Sequence, residues 1–451
     1  NGHQPMFNED SSMVILFNGE IYNYQELKED LMAKGHIFAN NSDTETILHG
    51  YEEYGQEITK KLRGMFAFVI WDIKNKVLFG ARDHFGIKPF YYYNRDGMFI
   101  FGSEIKSFLP HPKFKKELNE EALKTYLTFQ YSALDETFFK GVYRLKPGHQ
   151  FTYKDGKLEV TEYNTFNFIE EKKNFEETVN SIHETITSSI DYHRLADVEV
   201  GSFLSSGVDS SYVVSYAKPD KTYTVGFNYD NFDETVYAKD LSKILEIKNT
   251  SKIISDEEFF DSLEDVQYYS DEPHANLSAV PLYHLSRLAA KDVKVVLSGE
   301  GADELFGGYQ TYHRTKFYNA YEKLPLSFRA KMKKFAEKLP NIKGKNFLIS
   351  EGTPIEDSYI GQAFIFNDEQ ANDVLKPEYK TNISFKDVTA PIFAKVKDQN
   401  DLIKMQYLDM HLWLPNDILL KADKMTMSAS LELRVPILER DVFDTASKLP
   451  R

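Results

Sequence analysis

Two stretches of this sequence combine residue types that could do phosphate chemistry. In the first, Ser205, Ser206 and Ser210 offer hydroxyl donors, Gly207 lets a backbone approach closely, and Asp209 adds a carboxylate. The β-branched segment Val198-Glu199-Val200 precedes this loop, and apolar residues at helical spacing follow from Ser210 to Tyr216. A loop between a strand end and a helix start presents unpaired N–H groups and the positive end of a helix dipole, which favour an anion. Asp209 fits such a cradle only if a divalent cation, or the counter-ion of an incoming anion, sits beside it. The lysine of a Walker A loop is missing, which argues against an ordinary kinase or GTPase. The plainer alternative is a Ser/Gly turn capping a structural helix. In the second stretch, the apolar run Val293–Leu297 leads into Ser298-Gly299-Glu300-Gly301-Ala302-Asp303-Glu304, followed by Gly307 and Gly308. Carboxylates and glycines at a strand's carboxyl end suit a hard cation with pyrophosphate, and open α/β sheets bind ligands at such ends.

A different chemistry is legible earlier. Acyl transfer from an amide needs donors aimed at the developing oxyanion. Asn18-Gly19, at the end of an apolar run from Met13 to Phe17, could supply a side-chain amide and a backbone N–H. Taken alone, Asn-Gly reads as a hairpin turn and Asp43 as part of a helix cap.

The elements that must position these groups fall into two sets. Helical periodicity covers Tyr24 to Lys34, stopped by Gly35, and Ser42 or Asp43 opens a helix to about Tyr54. Strand signals follow at Met65–Trp71, Val77–Ala81 and Met98–Phe101, so the region to about Val160 reads as packed antiparallel sheets flanked by helices. Glu170 to Glu177 reads as a charged linker into a helix from Phe175 to Tyr192. Strands and helices then alternate through Val198–Leu204, Ser210–Tyr216, Thr222–Phe227, Glu234–Leu245, Pro281–Lys291 and Val293–Ser298, the pattern of a parallel, doubly wound sheet. Beyond Tyr309 the pattern is largely helical.

With SSGVDSS followed by SGEGADELFGGY, each after a strand, the second half resembles the synthetase part of the glutamine-hydrolysing asparagine synthetases, of the adenine-nucleotide α-hydrolase type. NGEIYN, NSDTE, GMFAF and ARDHFGIKPFYY occur in the order seen in class II glutamine amidotransferases. The resemblance implies an α+β, Ntn-hydrolase-like αββα sandwich over residues 1–165. An α/β doubly wound parallel-sheet domain with a helical C-terminal part would cover 175–451. It implies Asn18 and Gly19 as oxyanion hole, and Gly19, Glu20 and Asp43 as holders of the amino-acid end of glutamine. ATP would be bound by Ser205, Ser206, Gly207, Asp209, Ser210, Ser298 and Gly299, with adenine on backbone groups of Phe203 or Leu204 and of Val225. Asp209 and Asp303 would hold Mg²⁺, Glu300 would act as general base for ammonia, and Lys421 and Asp423 would lie on the aspartate side. Arg82 and Asp83 would form a structural pair, Lys88 would stand near the ammonia route, and Asp271-Glu272-Pro273 would border the aspartate cleft. Lys421, Asp423 and Arg434 read equally as paired charges on an apolar helical stretch. His84, His274 and His284 read as structural.

The implied reaction converts aspartate, ATP and glutamine into asparagine, AMP, pyrophosphate and glutamate through a β-aspartyl-AMP. The alternatives are a sibling synthetase that makes another amide, such as a β-lactam or a cyclic peptide, and a non-catalytic nucleotide-binding paralogue. Ser206 departs from the commonest family pattern, which has glycine there. The chain begins at Asn1 rather than Met and stops at Arg451, whereas in the resembled family residues bearing the catalytic cysteine precede this segment and more sequence follows it. The expectation is an internal fragment that does not itself hydrolyse glutamine. With 451 residues, two domains are expected. A formal net charge of -15 argues against nucleic acid as main partner, and the basic run from Arg329 to Lys334 reads as a solvated helix face. No run is long enough to cross a membrane, and the absence of cysteine excludes disulfides and thiolate metal sites within these residues. A cytoplasmic protein fits, with a homodimer as an open option.

Overall fold

The structure, a computed structural model, describes residues 2–229, 233–313, 321, 323–340, 342 and 344–450. Its first half is built on β3 (Gly64–Asp72), a strand apolar on both faces because both faces are covered. Phe66, Phe68 and Ile70 point one way and pack with Leu27, Ile47 and Leu48 of the helices Tyr24–Ala33 and Asp43–Tyr54. Ala67 and Val69 point the other way, onto Phe90, Leu145 and Phe151. The six-stranded antiparallel sheet runs β1 (Met6–Phe7), β2 (Met13–Ile21), β3, β4 (Val77–Arg82), β8 (His149–Lys154) and β9 (Lys157–Glu162). The facing three-stranded sheet runs β6 (Met98–Gly102), β5 (Tyr91–Arg95) and β7 (Val142–Arg144). Its outer face packs Tyr91, Tyr93 and Val142 against the single turn Ile105–Phe108, so the fourth layer is thin.

The second half is a five-stranded, all-parallel sheet in the order β12 (Lys248–Ile254), β11 (Lys221–Phe227), β10 (Val200–Phe203), β13 (Val295–Leu297) and β14 (Glu432–Arg434). The chain leaves β10 toward β11 and β12, then returns to build β13 and β14 on the opposite side. The strand order therefore reverses between β10 and β13, where such sheets form a crevice at their carboxyl ends. Helices including Ile355–Ser358, Phe385–Lys395, Asp401–His411 and Leu419–Met427 follow, the last two joined by a π-helical turn at Leu414–Ile418.

Several expectations need correction. Strands do not stop at Tyr309, because β14 completes the sheet, and Arg434 sits on that strand rather than on a helix. A further strand, β5, lies between the Val77–Ala81 and Met98–Phe101 signals, where none was expected. The charged linker is docked: Ile169 and Glu171 donate their N–H groups to the carbonyls of Ser447 and Lys448. The helix beyond it begins at Phe175 under an Asn174/Glu177 capping box. One apolar core crosses between the halves, joining Tyr22, Met65, Phe85 and Tyr131 to Leu297, Leu414 and Val435.

Candidate functional site

The two phosphate-type loops lie side by side because β10 and β13 are neighbours, with Ser202 in register with Leu297. A Cβ on Gly299 would stand 2.7 Å from the Ser210 nitrogen and 2.8 Å from the Asp209 carbonyl carbon, so the second loop rests directly on the first turn of the helix Val208–Ala217. Gly207 caps that helix without a side chain, leaving its first N–H groups for a ligand. Ser205 and Ser210 shape the loop between them. The Ser205 N–H donates to Ser210 Oγ at 3.1 Å, the two hydroxyls are 2.9 Å apart, and the Gly207 N–H donates to Ser205 Oγ at 3.1 Å. The unexpected Ser206 side chain is exposed and donates to Glu234 Oε1 at 3.0 Å, which leaves the loop backbone undisturbed.

Gly299→Ala should lower ATP–pyrophosphate exchange by about a hundredfold, the cost of an ångström-scale misplacement. The assay is exchange of labelled pyrophosphate into ATP, with the melting temperature as control. Unchanged exchange would mean that the two loops need not touch.

For the adenine, Leu204 has little backbone to offer: its N–H donates to Tyr223 O at 3.0 Å and its carbonyl accepts from Thr224 Oγ1 at 2.8 Å. The Phe203 carbonyl accepts from Ser202 Oγ at 3.2 Å. Val225 lies beyond Tyr223, the last β11 residue in register with β10, so its edge toward the loop lacks a strand partner.

Asp209 and Asp303 face the same space, and among the described residues neither carboxylate has an ion-pair partner. Burial raises both above the usual carboxylate range, and Asp303 raises Asp209 further. Two such acceptor-only groups suit a hard divalent cation. Asp303 is held close by Gly308, where a Cβ would fall within 2.1 Å of Oδ1. Glu300 is raised chiefly by burial, against the opposing charge of Lys421, with Asp303, Asp417 and Asp209 adding to the rise. Lys421 Nζ donates to Ser278 Oγ at 2.8 Å, and Asp417 is fixed by His274 at 2.6 Å and by Asn276 at 2.8 Å. Asp423 is otherwise engaged: its Oδ1 accepts from Lys88 Nζ of the first half at 3.0 Å, with both side chains buried.

The residues matched to glutamine handling gather on β2 and the helix Asp43–Tyr54. Asn18 and Gly19 lie inside the strand, opposite Ala67 and Phe66, rather than in a turn or beyond the strand's end. The Asn18 amide donates to Ser103 Oγ at 3.0 Å. Gly19 has φ of +147°, and a Cβ there would meet the Met65 carbonyl oxygen at 2.0 Å, so only glycine fits. Ser42 is the N-cap, which frees Asp43 to accept the Ile21 N–H at 3.0 Å. Burial raises Asp43, and burial pushes Glu20 up to about 7. Asn18 and Gly19 open onto a cleft of about 430 Å³ whose other wall includes Lys294, Met427 and Glu432 of the second half.

A family profile described as glutamine amidotransferase domain matches residues 1–164, and one described as asparagine synthase matches residues 181–451. The chain is 44% identical over its whole length to asparagine synthetase [glutamine-hydrolyzing] 1 of Bacillus subtilis, and spans 72% of that protein. The chain belongs to the glutamine-hydrolysing asparagine synthetases. It is also 29% identical to asparagine synthetase [glutamine-hydrolyzing] 3 of the same organism, again over 100% of this chain and 72% of the relative. A solved glutamine phosphoribosylpyrophosphate amidotransferase from B. subtilis covers 55% of this chain, and the chain covers 48% of it, at 16% identity and a TM-score of 0.26, too slight a likeness to argue from.

Within this synthetase, Arg82 and Asp83 do not pair with each other. Arg82 donates to the carbonyls of Lys88, Gly86 and Leu145, while Asp83 accepts N–H groups from Phe66, Phe85, Ile87 and Lys88. Both are structural, and both serve to fold the segment that carries Lys88. Asp271 and Glu272 both meet the first half, and Asp271 also meets the helix Leu419–Met427 that carries Lys421. Asp271 pairs with Lys106 at 2.8 Å and Lys424 at 2.7 Å, and Glu272 pairs with Arg144 at 2.8 Å. Sequence reasoning also passed over Glu304, which is buried, accepts from the Tyr309 hydroxyl at 2.7 Å and is raised to about 8 by burial. The glycine-rich motif contained it, but nothing in the motif separates it from the other carboxylates Glu300 and Asp303. Far from these loops, Glu9, His36 and His49 could approach one cation, yet Glu52 already stands 2.6 Å from His49 Nδ1 and supplies the balancing charge.

Proposed function

We propose that this chain belongs to an enzyme that amidates aspartate at the expense of ATP, using ammonia that its amidotransferase half releases from glutamine. The observation that carries the reading is the meeting of the Ser205–Ser210 loop with the Ser298–Asp303 loop at the strand-order reversal, which gathers Asp209, Glu300 and Asp303 around one space.

In this reading Ser205, Ser206, Gly207, Asp209 and Ser210, with Ser298 and Gly299, hold the triphosphate, and the Val225 edge holds the adenine. Asp209 and Asp303 would hold Mg²⁺, which supplies charge neutralisation to the phosphates. Lys421 draws the aspartate carboxylate toward the α-phosphorus. A carboxylate oxygen bonds to phosphorus, pyrophosphate leaves, and the acyl carbon becomes open to ammonia. The ammonia nitrogen bonds to that carbon, AMP departs with the oxygen, and Glu300 takes the surplus proton. Its raised carboxyl suits that duty, because burial makes the carboxylate a stronger base than an ordinary one. In the other half, Asn18 and Gly19 would stabilise the oxyanion of glutamine hydrolysis, and Glu20 and Asp43 would receive the α-ammonium. No described helix is long and apolar enough to cross a membrane.

The test uses the full-length gene product with ATP, Mg²⁺, aspartate and either amide-labelled ¹⁵N-glutamine or labelled ammonium. Labelled asparagine from both donors is expected. Asp43→Ala should lose the glutamine route and keep the ammonium route; equal loss of both would refute the division of labour. AMP formed with other carboxylates but not with aspartate would move the protein to a sibling amide-forming reaction.

A further inference from the structure

Arg434 stands where the two chemistries meet. Its main chain is part of β14, in register with Leu297, and its carbonyl accepts the Ser298 N–H at 3.0 Å. Its guanidinium is buried and almost fully engaged on its own side of the molecule. Nη1 donates to the carbonyls of His193 at 3.0 Å and Leu195 at 2.6 Å, at the end of the helix Phe175–His193, where a cation is favoured. Nε is 2.6 Å from Glu432 Oε1. These partners fix the fork and leave Nη2 directed at the other half, where it stands 3.5 Å from Glu20 Oε2 on β2. The Tyr22 ring lies beneath the guanidinium at 5.6 Å and completes the seat. A purely structural arginine would be satisfied by the carbonyls and Glu432.

We propose that Arg434 is a positioning residue for glutamine: it holds the Glu20 carboxylate ready for an α-ammonium and ties it to the strand that fixes Ser298. The inference rests on the proposed glutamine role of Glu20. The charges acting on Glu20 are Arg434 on one side and Asp43, Glu432 and Asp197 on the other. Burial and the three carboxylates push Glu20 up to about 7, and Arg434 is the charge that opposes them. The carboxylate form binds an ammonium, so glutamine affinity should fall as pH drops through about 7. Without the guanidinium this acid limb should move to higher pH.

The experiment measures KM for glutamine and for ammonium between pH 6 and 9 in full-length R434M, R434K and E20Q proteins. At pH 7, where Glu20 is about half ionised, R434M should raise the glutamine KM about fivefold, the effect of one pKa unit on such a group. It should recover toward pH 9, with the ammonium KM within about twofold of the parent on the same scale. E20Q should raise the glutamine KM at every pH, with no acid limb. R434K keeps a charge but loses the fork, and its limb should lie between those of R434M and the parent. If R434M does not fold, an acid limb unmoved in R434K overturns the proposal. An unaffected glutamine KM in E20Q removes the assignment of Glu20 and this inference with it. A normal R434M beside an impaired E20Q overturns only the role of Arg434. Equal rises in both KM values would make Arg434 structural and also overturn it.

Discussion

Asp209→Asn should reduce aspartate-dependent ATP–pyrophosphate exchange by at least about a hundredfold, the scale on which one preorganised charge-stabilising group counts, without loss of the fold. Burial and the neighbouring Asp303 raise the Asp209 carboxyl above the ordinary range. A group raised in this way binds its proton more tightly folded than unfolded. Above its ordinary value, ionisation therefore costs stability, and the cost is fully present at pH values above the raised one. Asparagine removes that cost, so the melting temperature should hold or rise while activity disappears. Groups that destabilise a fold yet stay together are the mark of a site built for a ligand. Exchange within about twofold of the parent, against the hundredfold expected, would sink the metal–pyrophosphate assignment. A large fall in melting temperature would show instead that Asp209 has a structural partner.

The second large effect concerns the joint between the halves. Glu272 is 4% exposed and Arg144 is 6% exposed. Their oxygen and nitrogen are 2.8 Å apart, Glu272 also accepts the Phe138 N–H at 2.9 Å, and Arg144 also donates to Ser132 O at 2.8 Å and Asn416 Oδ1 at 2.9 Å. Glu272→Gln leaves a buried guanidinium without its counter-charge, which should cost about 3–5 kcal/mol in the first unfolding transition. Replacing both partners, as in R144M/E272Q, should cost less than the single change, because no uncompensated charge remains. Urea unfolding of the two variants decides the matter. As a control, breaking the solvent-exposed Lys74–Asp10 pair should leave the midpoint unmoved. A loss below about 1 kcal/mol for Glu272→Gln would mean that water reaches the pair.

What the sequence made legible was local. The helix cap at Ser42, the apolar β3 and the loops after β10 and β13 each declare themselves within a dozen residues, through spacing and turn chemistry. That the two loops would touch followed from the family resemblance and from the alternation of strands and helices. The joint between the halves was not legible, because its partners are far apart along the chain. Nothing beside Lys88 points to Asp423, and nothing near Arg144 points to Glu272. Gly19 looked like turn chemistry, yet its lack of a side chain is demanded by the Met65 carbonyl of a neighbouring strand. Arg434 read as a charge on a helix because three residues of edge strand carry almost no periodic signal.

The same short strand sets the order in which the molecule can be made. β13 ends at Leu297, but its neighbour β14 begins only at Glu432, after the whole helical region. At roughly 5–20 residues per second, a ribosome needs on the order of ten seconds to cover that gap. Throughout that interval the growing chain carries Val295-Val296-Leu297 as an open apolar edge, the kind of surface on which nascent chains mispair and chaperones settle. The finished sheet hides this history. The hazard belongs to synthesis, and it ends when the residues that place Arg434 arrive.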